Sequence, residues 1–154
     1  MTFQILLLAL LPAFSVSALA EPQHNHTQDS EMQPALTLNQ GEKWPTDAPL
    51  RESMAKLRHA LIAVLEDIHH DRLTEQGYKE LANTVQQQSG YIIRHCALTP
   101  EADAQFHIIL AQLMTSAQIM QQTEHQRRGG VKLLQALKDY NRYFADEDFA
   151  PIVH

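Results

Sequence analysis

The sequence is poor in the residues that announce chemistry. One cysteine among 154 residues rules out any disulfide within the chain. Neither C-x-x-C nor C-x-x-C-H occurs, so covalent attachment of a c-type haem is excluded. There is no H-x-x-x-H pair, no methionine-rich repeat, no glycine-rich phosphate loop and no nucleophile elbow. Carboxylates occur as ordinary helix charges, not as a catalytic pair. Basic residues cluster nowhere beyond Arg127-Arg128, and 12 Lys and Arg against 18 Asp and Glu leave a net charge of −6. Such a surface argues against a nucleic-acid partner. No internal repeat and no strand pattern is present. Together these absences point away from an enzyme.

What is present begins with MTFQILLLALLPAFSVSALAEPQ. The run Phe3–Leu11 is apolar apart from Gln4, and Ala18-Leu19-Ala20 supplies small residues ahead of Glu21. This is the pattern of a secretory signal peptide over residues 1–20, although its first residues lack Lys or Arg. The run is short for a span of ~20 residues. We therefore expect cleavage after Ala20, a periplasmic protein, and no stable membrane insertion. In an oxidising compartment a lone exposed thiol is a liability, so Cys96 should be buried, ligated to a metal or paired with another molecule.

Residues 21–43 are rich in Gln, His, Asn, Asp, Ser and Pro and carry no hydrophobic period. They read as a flexible polar leader. His24 and His26 lie in it as H-N-H. An amino-terminal copper site needs histidine at the third position, and after the expected cleavage His24 is fourth.

Four amphipathic segments follow between residues 44 and 146. Thr46 or Asp47 can cap the first helix, with Pro49 in its first turn. Its seam is Leu50, Met54, Leu57, Leu61, Val64 and Ile68. Thr74 caps the second, whose seam is Tyr78, Leu81, Val85, Gln88, Ile92 and His95. Thr99-Pro100-Glu101 starts the third, with Ala102, Phe106, Ile109, Leu113, Ser116 and Met120 inward. The fourth carries Leu133, Leu137, Tyr140 and Phe144; Gly129-Gly130 obscures its start. Residues 147–154 form a tail. Short connections predict an all-α fold, an antiparallel up-down-up-down four-helix bundle.

That topology gathers Trp44, Met54, His95, Cys96, His107 and Tyr140 at one end. Met54, Cys96 and His107 differ in axial level by about a turn at ~1.5 Å per residue. Thioether, thiolate and imidazole form a soft donor set suited to copper(I), so these three are the candidate metal site. The competing reading is a cofactor-free structural or interaction module. In that reading Cys96 is a small core residue, Met54 is filler, and His107 bonds Glu101 or Asp103 on its own helix. Non-covalent haem is a third reading. Met54 suits one axial position, but Asp139–Phe144 at the end of the fourth helix contains no histidine, and His95 or His107 would have to replace it. At the opposite end, His69, His70, Asp71 and His125 read as a solvated helix terminus or a surface divalent-cation site.

The stretches GEKWPTDAPLR (Gly41–Arg51), CALTPEADAQFH (Cys96–His107) and LLQALKDY (Leu133–Tyr140) resemble a family of small secreted bacterial proteins sometimes labelled DnrO-like. The resemblance rests on a Lys-Trp-x-Thr-Asp-x-Pro-Leu-Arg opening, matched by Lys43, Trp44, Thr46, Asp47, Pro49, Leu50 and Arg51. It covers roughly residues 38–144. It implies export and a helical fold, and it brings no established activity. The family's His-Pro-Gly turn after the last helix is replaced here by Ala145-Asp146-Glu147-Asp148.

Overall fold

Side-chain caps define where three of the four helices begin. In a computed structural model that describes residues 35–153, these are α1 (Ala48–His69), α2 (Glu75–His95), α3 (Pro100–Met120) and α4 (Gln126–Tyr143). Asp47, Thr74 and Thr99 each accept from a backbone N–H three residues on, from Leu50, Gly77 and Ala102 respectively. These bonds satisfy N–H groups that a helix start otherwise leaves open. Proline in the first turn of α1 and α3 gives up no helical hydrogen bond. α4 has no such side-chain cap. Among the described residues there is no strand, only two isolated β-bridges. No described helix is long and apolar enough to cross a membrane.

The inward seams largely agree with the sequence period. All six expected positions of α3 and all four of α4 are buried. Two departures occur. In α1, Leu65 is buried and Val64 only partly so. At 3.6 residues per turn the inward stripe drifts from a strict heptad, and here it moves one residue on. In α2, Ser89 is fully buried in place of Gln88, and His95 is exposed, its ring tilted at 36° to that of Tyr91 with centroids 4.3 Å apart. The drift again selects the neighbour, and a serine costs less to bury than an amide or an imidazole.

Each helix contacts its chain neighbours, and α4 also contacts α1 and α2. The N-cap of α1 meets the residue after Cys96 at the end of α2, because Ala97 N–H donates to Asp47 Oδ2 at 2.7 Å. At the far end, Arg127 of α4 donates to the last carbonyls of α1, Ile68 O at 3.1 Å and His69 O at 3.4 Å. A cation at a helix C-terminus also complements the helix dipole. Asp71, just past α1, takes φ 54°, the left-handed turn that ends many helices and that Asp tolerates better than most residues.

Gly129 and Gly130 lie inside α4, which settles its start. Both are buried because the helix crosses its neighbours closely there. A Cβ on Gly129 would stand 2.8 Å from both Ser116 O and Met120 N of α3.

The flanking segments are more engaged than their composition suggests. The signal segment, the H-N-H stretch and the leader up to residue 34 lie outside the described residues. Residues 35–43, assigned by composition to the flexible leader, form a two-residue turn closed by reciprocal Asn39–Glu42 hydrogen bonds of 2.8 and 2.9 Å. Gln40 at φ 52° and Gly41 at φ 97° give it the left-handed pair such hairpin turns require. Leu36 packs on the core, and Thr37 N–H donates to Gln105 Oε1 at 2.8 Å. At the other end the supposed tail is a strap. Phe149 and Ile152 are 4 % and 8 % exposed within the core cluster, and Arg58 Nε of α1 donates to Ala150 O at 2.7 Å.

Candidate functional site at the head of the fold

The Lys-Trp-x-Thr-Asp-x-Pro-Leu-Arg opening can be followed bond by bond. Lys43 Nζ donates to Asn141 O near the end of α4 at 2.6 Å. Trp44 N–H donates to Tyr143 O, and Ala145 N–H donates to Trp44 O, both at 2.8 Å, which makes a parallel bridge between Trp44 and Phe144. Trp44 Nε1 reaches Thr37 O at 2.6 Å. Thr46 Oγ1 donates to Ala145 O at 2.6 Å, and Arg51 Nη1 donates back to Thr46 O at 2.9 Å. Lysine, threonine and tryptophan donors therefore take up the carbonyls that follow or end α4, where a helix terminus leaves acceptors open. The motif is a clasp between the segment that leads into α1 and the segment that leaves α4.

Asp47 is the hub of this clasp. One carboxylate oxygen caps α1 and the other takes the Ala97 N–H. The same carboxylate faces Cys96. Burial, followed by the Asp47 charge, the hydrogen bond from the thiol to Asp47 and the charge of Asp103, pushes the Cys96 thiol up to about 12. Cys96 is only partly buried, and at neutral pH it is a thiol, so a metal ion would have to displace that proton to bind there.

Of the other two candidate ligands, Met54 is fully buried in the core of α1. His107 has a side chain 65 % exposed; its Nδ1 lies 2.9 Å from Asp103 O and 3.4 Å from Asp103 Oδ2. It lines a groove with Ala104, Ile108, Ala111 and Lys132. The three side chains thus occupy three environments: interior, half-buried against a carboxylate, and exposed on the outside of α3. Among the described residues, no group of three or more His, Cys, Asp or Glu side chains is arranged to hold a metal ion. At the far end, His70 Nε2 lies 3.3 Å from Glu66 Oε2 in the same helix, an ordinary exposed pair.

Sequence reasoning missed a second polar centre. Tyr140 is fully buried, and its hydroxyl donates to Asp146 Oδ2 at 2.8 Å. Burial, then the hydrogen bond and the charge of Asp146, drive the Tyr140 pKa far above its ordinary value against a smaller opposing pull from Arg51. Asp146 is 8 % exposed, and its Oδ1 has no partner among the described residues. The Phe149 ring stands edge-on to Tyr140 with centroids 5.1 Å apart, so the phenol anchors the strap by both its hydroxyl and its face. A tyrosine on a helix seam was legible as core. Its carboxylate partner was not, because Asp146 sits in an acidic stretch that composition reads as solvated.

Set against known proteins, the chain matches no family model, no curated protein and no solved structure.

Proposed function

We propose that the protein is an exported, cofactor-free interaction module built as an antiparallel up-down-up-down four-helix bundle, with a signal peptide removed after Ala20. The observation that supports this reading is the placement of the three soft donors: Met54 is fully buried in the core, Cys96 is half-buried beside Asp47, and the His107 side chain is 65 % exposed on the outside of α3. His107 is engaged with Asp103, and Met54 serves the core. The antiparallel order is supported by the meeting of the α1 start with the α2 end, and of the α1 end with the α4 start. The likeness to small secreted helical proteins fits the reading, since the residues that carry it build the clasp.

Copper(I) at Met54, Cys96 and His107 is the competing proposal, and one experiment separates the two. Reduced protein and its Cys96→Ala variant are titrated with copper(I) against a competing chelator. The module reading expects equal, weak uptake by both. Stoichiometric uptake lost in the variant would establish the metal site instead. A Soret band in protein purified from the periplasm would favour haem. Intact mass of the same sample tests export, the expected first residue being Glu21.

A further inference from the structure

The Tyr140–Asp146 pair leaves one strong acceptor unused. At 8 % exposure Asp146 is more than nine-tenths buried; its Oδ2 takes the Tyr140 hydroxyl, and its Oδ1 has no partner among the described residues. A buried carboxylate oxygen without a donor gives up its hydration and recovers nothing for it. Such atoms in folded proteins mostly have a partner, and an exception calls for an explanation. Tyr140 holds the carboxylate from the core side. Asp146 also forms part of the wall of a cavity of about 310 Å³, together with Glu42, Lys43, Ala145 and Glu147. A second hollow adjoins it, sharing Ala145 and Glu147 and adding Arg51 and Asp148. The surroundings are anionic. Glu42, Glu147 and Asp148 are exposed and, like Asp146, form no ion pair among the described residues. The two cations nearby are engaged in the clasp, Lys43 Nζ with Asn141 O at 2.6 Å and Arg51 Nη1 with Thr46 O at 2.9 Å.

We infer that this cavity binds a small organic diammonium, one ammonium donating to Asp146 Oδ1 and the other to the exposed carboxylates at the rim, Glu147 foremost. The inference goes beyond the interaction-module reading and does not rest on it. The acceptor itself selects the ligand class. A carboxylate oxygen only accepts, so the ligand must bring a donor. The acceptor is charged, and a cationic donor bonds it more strongly than water or a neutral amide does. A metal ion fits poorly, because calcium or magnesium takes about six or more oxygens closing on one point. Among the described residues no group of three or more His, Cys, Asp or Glu side chains is arranged that way. Carboxylates spread along two joined hollows suit charges spread along a short chain. Ala145, common to both hollows, offers the intervening methylenes an apolar rest. The cavity lies at the lower end of the size range for small-ligand sites, which fits a compact alkyl diamine. Asp146 belongs to the strap, so an occupied site also braces the strap against the helices.

Calorimetric titration of the full chain at low ionic strength with putrescine, n-butylamine and calcium chloride tests the inference. The expected result is saturable uptake of one putrescine per chain, tighter than n-butylamine, with a rise in melting temperature at saturation. Asp146→Asn keeps an acceptor for the Tyr140 hydroxyl and should weaken putrescine about tenfold, the scale of a hydrogen bond to a charged group. Glu147→Gln, at an exposed position, should weaken putrescine and leave n-butylamine unchanged. This second variant carries the test if circular dichroism shows Asp146→Asn to be unfolded. Glu124→Gln, exposed in the α3–α4 connection, should change neither. The inference is overturned by the absence of saturable putrescine uptake, which would leave Asp146 Oδ1 to a buried water. It is equally overturned by uptake unchanged in Asp146→Asn or Glu147→Gln, by n-butylamine binding as tightly as putrescine, or by calcium displacing putrescine at equal concentration. None of these outcomes alters the copper titration, so the two readings fail separately.

Discussion

Cys96 and Tyr140 share a theme at the level of single residues: each is an ionisable group kept neutral first by burial and then by a carboxylate beside it. For Cys96 the linkage has a definite sign. The folded chain pushes the thiol pKa up to about 12, against its ordinary value of 9.0. The stabilisation is therefore fully present below about 9 and is lost as pH rises toward about 12. Urea unfolding at a series of alkaline pH values should show wild type losing stability across that window relative to Cys96→Ala. At pH 8 the native thiol should react slowly with a disulfide reagent. Asp47→Ala removes the second-largest cause of the shift and should speed that reaction. It should also cost about 1–2 kcal/mol for the lost cap, read by thermal unfolding. At the other centre, Tyr140→Phe strips a buried carboxylate of the one side-chain hydrogen-bond donor it has among the described residues. A loss of about 2–3 kcal/mol in urea unfolding is expected, because a buried acceptor left unpaired costs more than a hydrogen bond is worth. Asp146→Asn keeps an acceptor for the hydroxyl and removes the buried charge, so it should cost less than Tyr140→Phe.

The helices themselves are largely legible in the sequence, for a physical reason: caps and inward spacing are local. Asp47, Thr74 and Thr99 sit where a side-chain oxygen must stand to meet the open N–H groups, and each does so. The seam of α3 could be named residue by residue because Phe106, Ile109 and Leu113 follow the helical period. What failed was non-local. Val64 against Leu65 and Gln88 against Ser89 are decided by a small rotational drift that only packing reveals. Gly129-Gly130 left the start of α4 open between a loop end and an early turn, because propensity knows nothing of the neighbour. In place, the bare Cα is what lets α4 touch the backbone of α3. The two settings make a contrast. Gly129→Ala would press a methyl to 2.8 Å from two backbone atoms and should destabilise by about 1–3 kcal/mol, outweighing its gain in helix propensity. Gly90→Ala meets only the flexible Arg94 Nη1 at 3.3 Å and should stabilise by about 0.5–1 kcal/mol. Differential scanning calorimetry of the two variants should show shifts of opposite sign. The candidate site was legible only as residue types. The pairing of Cys96 with Asp47, far apart in the sequence, had no signature in spacing.

For the whole molecule, the segments on either side of the helices are part of the fold and not appendages. Phe149→Ala should cost about 3–5 kcal/mol in urea unfolding, a core-sized loss at a position that composition assigns to a tail. The same variant should leave far-ultraviolet circular dichroism near native at low temperature, since the strap contributes no helix. The clasp has a bearing on when the chain can fold. Trp44 bonds both Tyr143 and Ala145, so the seat for the first helix is completed by residues made a hundred positions later. A growing or threading chain can coil its helices early, yet its head stays open until Ala145 has emerged. During that interval the seat of Phe149 and the indole of Trp44 are both uncovered, and a holding chaperone would find its target there.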